Sequence, residues 1–257
     1  INFVTGDAKT IGDTVLRHPE LSGVHFTGST QTFQTLWRGV GENLHNYKNY
    51  PRIVGETGGK DFVFAHHSAD PKALVTALVR GAFEYQGQKC SAASRAYIPR
   101  SLWEEIKAPL ISSVESISMG DPCDFSNFMN AVIDEKAFLK IKGFIEHGKK
   151  TKDSTLLCGG ECDRETGYFI RPTVMEVKNP LDKCMTEEAF GPLLSVYIYE
   201  EKDFAETLTL CDRSTPYALT GAIFAKERGT LHKMYESLKY SAGNFYINDK
   251  PTGAVVG

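Results

Sequence analysis

Glu84-Tyr85-Gln86-Gly87-Gln88-Lys89-Cys90-Ser91-Ala92-Ala93-Ser94-Arg95 sets one thiol in a short polar stretch between two regular patterns. The apolar spacing from Pro71 to Tyr85 predicts a helix, and Arg95 to Pro99 predicts a strand. Cys90 therefore stands at a helix-to-strand junction. Gly87 and the small residues Ser91, Ala92 and Ala93 leave room for a ligand to approach it. A thiol must ionise to attack, and at pH 7 an unperturbed cysteine is only about 3% thiolate. Lys89 and the peptide N–H groups of the turn are placed to raise that fraction. The plain alternative is that Cys90 is a buried apolar side chain, the common fate of a cysteine that makes no disulfide.

Upstream of this stretch the pattern alternates between short strands and helices. Ile1 to Thr5 has strand character and Ile11 to Arg17 helix character, and Val24-His25-Phe26 is a second strand. A helix then starts near Gln31, with Phe33, Leu36, Trp37, Val40 and Leu44 on one face, and Arg52-Ile53-Val54 is a third strand. This β-α-β-α-β order is that of a parallel sheet with covering helices, an α/β fold. Gly28-Ser29-Thr30 falls where a strand's carboxyl end meets a helix N-terminus. Such a turn is either an anion-binding site, through unpaired N–H groups and the helix dipole, or an ordinary Ser/Thr helix cap. The strict dinucleotide fingerprint is absent, with only Gly6 and Gly12 as a loose echo. Glu56, ahead of the Gly58-Gly59 pair, is expected on a tight turn at the end of a strand. It reads either as a solvated turn residue or as a general base whose pKa an apolar cleft would raise.

Downstream, Asp61 to Ala65 is a strand, and Ser101 to Glu105 opens a helix with its own cap. Lys136 to Lys149 is an amphipathic helix with Phe138, Ile141, Phe144 and Ile145 inward. Strands follow at Thr155–Leu157, Phe169–Val177, Leu193–Tyr199, Leu219–Phe224 and Phe245–Ile247, with helices over Phe204–Cys211 and Leu231–Leu238. The alternation runs to the end without repeats or a low-complexity linker.

Composition narrows the class. The 257 residues carry a net charge of −3 and are 41% hydrophobic, with Lys and Arg dispersed. That balance gives no reason to expect nucleic acid or an anionic membrane as partner. No apolar run approaches the length of a membrane span. The six cysteines form no Cys-x-x-Cys pair, and the seven histidines show no ligand spacing, so no metal site is expected. The start at Ile1 and the stop in a Gly-rich turn at Gly257 read as a processed chain or a piece of a longer one.

Five segments, in order, resemble the aldehyde dehydrogenase superfamily. They are Phe26-Thr27-Gly28-Ser29-Thr30, Glu56-Thr57-Gly58-Gly59-Lys60, Gly87-Gln88-Lys89-Cys90, Glu187-Glu188-Ala189-Phe190-Gly191-Pro192 and Gly243-Asn244-Phe245-Tyr246-Ile247-Asn248. The acid precedes the thiol by 34 positions (90 − 56). Tyr85 to Ala92 and Asn248 to Gly253 are similar to the branch of that family that oxidises glutamate γ-semialdehyde, the open form of pyrroline-5-carboxylate, in proline degradation.

The resemblance implies a partial doubly wound NAD-binding domain over residues 1–55 and an α/β catalytic domain over 56–257. It implies Cys90 as nucleophile and Glu56 as the base that activates the hydrolytic water. It places Gly28, Ser29, Thr30, Gln31, Thr32, Thr57, Glu188 and Phe190 at NAD, with Glu188 on a ribose hydroxyl. Ser91 and the N–H groups of Gly253 and Ala254 are implied to hold the substrate's distal carboxylate. Ala254 stands where this branch commonly has serine, a loss worth roughly 1–3 kcal/mol of carboxylate binding if nothing replaces the hydroxyl. By the same resemblance, the full-length form is a homo-oligomer of the mitochondrial matrix. An oxyanion-hole asparagine and a ribose-binding lysine are expected upstream of Ile1, and an oligomerisation strand downstream of Gly257. Losing one oxyanion donor costs ~10²–10³ in turnover, so the competing expectation is a non-catalytic truncated paralogue that keeps the fold and associates with subunits.

Overall fold

The computed structural model describes residues 1–251. They form two compact units, Ile1–Gly58 and Gly59 onward.

In the first unit, helix α1 (Ala8–Leu16) begins at Asp7, whose side chain accepts the Thr10 N–H. Strand β1 (Gly23–Gly28) pairs in parallel with β2 (Arg52–Thr57), and helix α2 (Thr30–Glu42) crosses between them. The apolar face of α2 lies on this two-stranded sheet. The Phe26 and Phe33 rings stack with centroids 6.1 Å apart, and Trp37 meets Phe33 edge-on at 5.6 Å. A Cβ on Gly55 would meet the Phe33 ring within 2.5 Å, so the sheet needs a bare backbone there. Ile1 to Thr5 is not a strand, contrary to the sequence pattern. A strand needs a neighbouring backbone, and among the described residues β1 pairs only with β2.

The second unit is built on a seven-stranded sheet. Its elements in chain order are β3 (Phe62–Ala65), α3 (Pro71–Phe83), β4 (Arg95–Pro99), α4 (Arg100–Glu115), α5 (Glu135–Lys150), β5 (Ser154–Cys158), β6 (Cys162–Asp163), β7 (Phe169–Ile170), β8 (Thr173–Val177), α6 (Lys183–Thr186), β9 (Leu193–Tyr199), α7 (Phe204–Arg213), β10 (Thr220–Phe224), α8 (Arg228–Leu238) and β11 (Asn244–Ile247). The strand order is β11-β10-β3-β4-β9-β8-β5. All neighbours run parallel except β5, which pairs antiparallel with β8. The strands alternate between two cores. Val63, Ala65, Ala96, Ile98, Leu194 and Val196 join the helices α3 and α4 on one face. Phe62, Phe64, Tyr97 and Leu193 join α5, α7 and α8 on the other. A sheet buried on both faces explains why these strands read as continuous apolar runs.

Two sequence expectations are corrected. The run Phe169–Val177 is two strands, not one, because Pro172 lacks the N–H a ladder needs; β7 pairs with β6, and β8 joins the large sheet. Helix α4 has no side-chain cap from its own first residues: Pro99 is the N-cap residue, and the Ser101 N–H is accepted by Glu201 Oε1 at 2.9 Å, a partner a hundred residues away.

Candidate active site

Three neighbouring parallel strands decide which loops meet. β3, β4 and β9 lie side by side. Gly59 precedes β3, Cys90 precedes β4 and Phe190 precedes β9, so their loops share one edge of the sheet. They line a tight cleft with a cavity volume of about 10 Å³ that includes Gly59, Lys89, Cys90, Glu188 and Phe190. The structure thus gathers Cys90, Glu188 and Phe190, expected from separate motifs, at one place in the second unit. A larger groove of about 440 Å³ lies along Glu161, Asp163 and Arg171 and contains none of the sequence-derived site residues.

The thiol loop has an unusual backbone. After α3, Tyr85, Gln86 and Gly87 have φ of 54°, 58° and 63° in succession. Left-handed conformations at two non-glycine residues are costly and are kept only where surrounding contacts over-determine them. Here Gln86 Nε2 donates to Ala131 O at 3.3 Å, and Gln88 Oε1 accepts the Ile133 N–H at 3.0 Å. The chain then makes a turn in which the Ala92 N–H donates to Lys89 O at 3.0 Å. Cys90 sits at the tip of this turn and is exposed, so the buried-cysteine reading does not hold. Ser91 is buried at 2% exposure, and its carbonyl accepts the Thr220 hydroxyl at 3.0 Å. Ala93 N–H donates to Gly81 O, and Ser94 and Arg95 N–H both donate to Asp61 O, which ties the turn to α3 and β3. Lys89 Nζ lies 3.3 Å from Glu84 Oε2, so its charge is already shared with a carboxylate.

Glu188 is half-buried. Burial pushes its carboxyl above the usual range, against the pull of Lys140, the Gly59 N–H and Lys60. Phe190 has φ 58° and is 38% exposed, a bulky side chain held in a left-handed conformation beside the thiol. Beneath the cleft Lys60 and Asp61 are both buried. Asp61 accepts the Leu219 N–H at 2.9 Å and the Thr220 hydroxyl at 2.7 Å, and burial pushes its carboxyl up to about 7.

In the first unit, Gly28-Ser29-Thr30 does form the start of α2. Ser29 Oγ accepts the Thr32 N–H at 3.2 Å, so the capping reading is realised. The Thr30 and Gln31 amides, in the helix's first turn, have no acceptor within the helix. The Thr30 hydroxyl donates to Gly58 O at 3.2 Å. Glu56 and Thr57 lie within β2, Glu56 paired in register with Thr27. The carboxylate is therefore on a strand and exposed, and not on the turn expected after it. Gly253 and Ala254 lie outside the described residues.

The fold brings three of the histidines close to other potential ligand groups. His66, His67 and Glu227 bring potential ligand atoms within 4.8 Å of one another, as do His147, Asp182 and Cys184. Linear spacing hides both groups because each draws on separate elements. In the second, Asp182 already accepts the Cys184 N–H and sits 3.0 Å from His147 Nε2, so its carboxylate serves as a structural link between α5 and α6.

The sequence model of the aldehyde dehydrogenase family matches residues 1–257. The chain belongs to the aldehyde dehydrogenase family. It is 51% identical to the mitochondrial delta-1-pyrroline-5-carboxylate dehydrogenase of Dictyostelium discoideum, over all of this chain and 46% of that protein. Identity to the Danio rerio protein of the same name is 49%, again over the whole chain and 46% of the relative. Among solved structures, the Mycobacterium tuberculosis delta-pyrroline-5-carboxylate dehydrogenase bound with NAD superposes with a TM-score of 0.92 at 50% identity, covering 99% of this chain and 46% of that one. A Thermus 1-pyrroline-5-carboxylate dehydrogenase with bound NAD gives 0.89 at 33% identity, over 99% and 48%. The chain thus spans about half the length of the curated relatives it matches. No helix among its described residues is long and apolar enough to cross a membrane.

Sequence reasoning passed over Glu84, Asp61, Lys60 and Arg95 as supports of this cleft. Glu84 stands four residues after Arg80 in the helical pattern and so reads as half of a solvated surface pair. Arg95 opens an apolar strand, and its charge was the one signal that it has buried polar partners.

Proposed function

We propose that this chain is the thiol-bearing part of an NAD-dependent dehydrogenase that oxidises glutamate γ-semialdehyde to glutamate. The observation that carries the reading is the exposed Cys90 at the tip of a strained, well-tied turn, sharing one cleft with Glu188 and Phe190. The whole-chain likeness to proteins named delta-1-pyrroline-5-carboxylate dehydrogenase supports the substrate.

The residues present suit a dinucleotide. The amides of Thr30 and Gln31 offer donors for a phosphate at the start of α2, flanked by Gly28, Ser29, Thr32 and Thr57. Glu188 offers an acceptor for a ribose hydroxyl, and Phe190 an apolar ring beside it. When bound, NAD supplies the hydride acceptor that takes the Cys90-bound adduct from the aldehyde to the acid level of oxidation.

The chain's own groups do the rest. Cys90, as thiolate, attacks the aldehyde carbon and holds it covalently. The Cys90 N–H donates to the oxygen that gains negative charge. Glu56 takes a proton from the water that releases the acid. Ser91, with Gly253 and Ala254, holds the distal carboxylate. The homologues' names support a mitochondrial location, the matrix on this reading.

The test is NADH formation by the intact protein from glutamate γ-semialdehyde and NAD. Cys90→Ala abolishes it; a normal rate in that variant sinks the nucleophile assignment. Glu56→Gln keeps the pre-steady-state burst and slows turnover by about 10²-fold or more. Equal loss of burst and turnover contradicts the role of Glu56.

A further inference from the structure

The Cys90 cleft lies where strands of the large sheet begin. At the opposite edge, where they end, two neighbouring strands set a second cluster. β3 and β10 run parallel, with Phe64 against Ile223 and Ala65 against Phe224. The segments that leave them therefore emerge side by side. One begins with His66-His67, and the other reaches Glu227, the N-cap residue of α8. Backbone groups tie the two together: the His66 N–H donates to Phe224 O at 2.9 Å, and the Lys226 N–H donates to Ser68 Oγ at 3.2 Å. Lys226 Nζ lies 3.1 Å from Asp70 Oδ2, so the lysine charge beside the cluster already has a counter-ion. In this frame a nitrogen of His66, a nitrogen of His67 and a carboxylate oxygen of Glu227 lie within 4.8 Å of one another.

Two of the three groups are oriented by partners that leave a second atom for a ligand. His66 Nδ1 lies 3.0 Å from Ser68 Oγ, and the ring stands edge-on to Phe204 with centroids 5.1 Å apart. With the proton on Nδ1 and donated to Ser68, Nε2 is left to coordinate, the way outer partners orient metal-binding imidazoles. Glu227 Oε2 accepts the Thr230 hydroxyl at 2.9 Å, which leaves Oε1. The His66 and His67 ring centroids are only 4.0 Å apart, too close for two imidazolium charges to be at ease. Burial first, and the His67 ring second, lower the His66 pKa against the pull of Glu227. The neutral imidazole, which is the form that binds metal, is thereby favoured at neutral pH. His67 and Glu227 are exposed, so an ion reaches them without any opening of the fold.

We propose that His66, His67 and Glu227 form a divalent transition-metal site, zinc being the ion that two imidazoles and a carboxylate suit. The fourth position of a tetrahedral zinc goes to water. Magnesium and calcium, which take oxygen ligands, do not compete for a site with two nitrogens. The site stands apart from the Cys90 chemistry, at the other end of β3. Its role is that of a clamp between the β3–α3 and β10–α8 connections. The unfolded chain keeps only the adjacent histidine pair, with Glu227 160 positions further on (227 − 67). Zinc therefore binds the folded chain more tightly and stabilises it.

The experiment titrates zinc chloride calorimetrically into the intact, untagged protein. Cys90 and Cys123 are first blocked with iodoacetamide, so that the exposed thiols do not take the metal. Saturable binding with a micromolar Kd is expected, and magnesium chloride gives none. His67→Ala and Glu227→Gln each weaken zinc binding about tenfold or more. His232→Ala, a histidine on α8 outside the cluster, leaves it unchanged. Zinc raises the thermal midpoint of the wild type and leaves that of the His67→Ala/Glu227→Gln double variant where it was. Midpoints without zinc establish that the variants fold, as substitution of exposed side chains allows. Zinc binding that survives both substitutions, an equal loss in His232→Ala, magnesium binding as tight as zinc, or no saturable binding below about 1 mM each overturns the proposal.

Discussion

Arg95 Nε donates to the backbone carbonyl of Lys60 at 3.0 Å, which ties together two buried cationic residues that adjoin Gly59 and Ser94 of the Cys90 cleft. Arg95 is 1% and Lys60 2% exposed, and neither has a carboxylate within ion-pair distance among the described residues. Their situations differ. The Arg95 guanidinium has a full set of acceptors, whereas the Lys60 ammonium has no hydrogen-bond partner. Burial first, and the Arg95 charge second, push Lys60 down to about 8, against the weaker pull of Cys184, Glu188 and Asp61.

The sign of the consequence follows from linkage. A lysine depressed in the fold binds fewer protons there than in the unfolded chain between about 8 and 10.5. Its contribution to stability is complete above the unfolded value and is lost as pH falls through about 8. The span corresponds to ~3 kcal/mol. Lys60→Met removes the titration, so the variant is the more stable protein near pH 7, and its advantage shrinks by ~3 kcal/mol toward pH 10.5. Urea midpoints of the two proteins across that range measure it. A difference that stays constant with pH rules out the assignment.

Arg95 holds α7 to the sheet. Its nitrogens reach Tyr97 OH at 3.0 Å, Cys211 O at 3.3 Å and Thr215 Oγ1 at 3.1 Å, besides Ser214 Oγ. Only the planar guanidinium presents donors in this spread, and an ammonium cannot reproduce it. Both Arg95→Met and Arg95→Lys are expected to lose about 3 kcal/mol, because each strands buried carbonyl and hydroxyl acceptors. Chemical denaturation measures the loss. An Arg95→Lys protein with the wild-type midpoint would show that charge, and not the fork geometry, is what the site requires.

Much of this architecture is legible in the chain. Strands Arg95–Pro99 and Leu193–Tyr199 emerge with the bounds that their apolar runs give, because a parallel sheet covered on both faces leaves no polar alternation to misread. The inward face of α5 is likewise plain from Phe138, Ile141, Phe144 and Ile145, all buried. What stays hidden is long-range. No local pattern states that Glu201 caps α4, that Glu84 meets Lys250, or that Glu227 approaches His66 and His67. For Glu56 the gap between pattern and structure is smaller. The Gly58-Gly59 pair signals a turn, but the parallel partner β1 carries the ladder on through Thr57. Cys90, Glu188 and Phe190 were found as motifs, yet their meeting depends on strand order, which periodicity does not encode.

Gly87 is the residue the thiol turn cannot replace. Its φ of 63° lies in the left-handed region, and a Cβ there would come within 2.4 Å of Gly191 O and 2.7 Å of Ala82 O. Both are backbone atoms and cannot swing aside. Gly87→Ala therefore costs more than the ~1 kcal/mol of a left-handed alanine alone, and ~3 kcal/mol or more is expected. The strain falls on the loop from α3 to β4, so hydrogen exchange at Gln88 to Ala93 rises even where the variant still folds. A Gly87→Ala protein with wild-type stability and exchange would mean that the loop relaxes without cost.

Five of the six thiols divide sharply by environment, with Cys162 half-buried between them, and this gives a direct test of Cys90. Cys90 and Cys123 are exposed, while Cys158, Cys184 and Cys211 are buried. Burial pushes those three thiols up to about 11, about 12 and about 12, so they are protonated and shielded at neutral pH. Brief treatment of the native protein with iodoacetamide should carboxamidomethylate the Cys90 and Cys123 peptides and leave the buried three unmodified until denaturant is added. Peptide mass spectrometry reads the pattern. Glutamate γ-semialdehyde added first, with NAD absent, should protect Cys90 by covalent addition and leave Cys123 reactive. Cys123 serves as the internal control, since it shares the exposure but not the cleft. Equal protection of both peptides would mean that the aldehyde consumes reagent or modifies thiols indiscriminately, and no protection of either would remove Cys90 from the proposed chemistry.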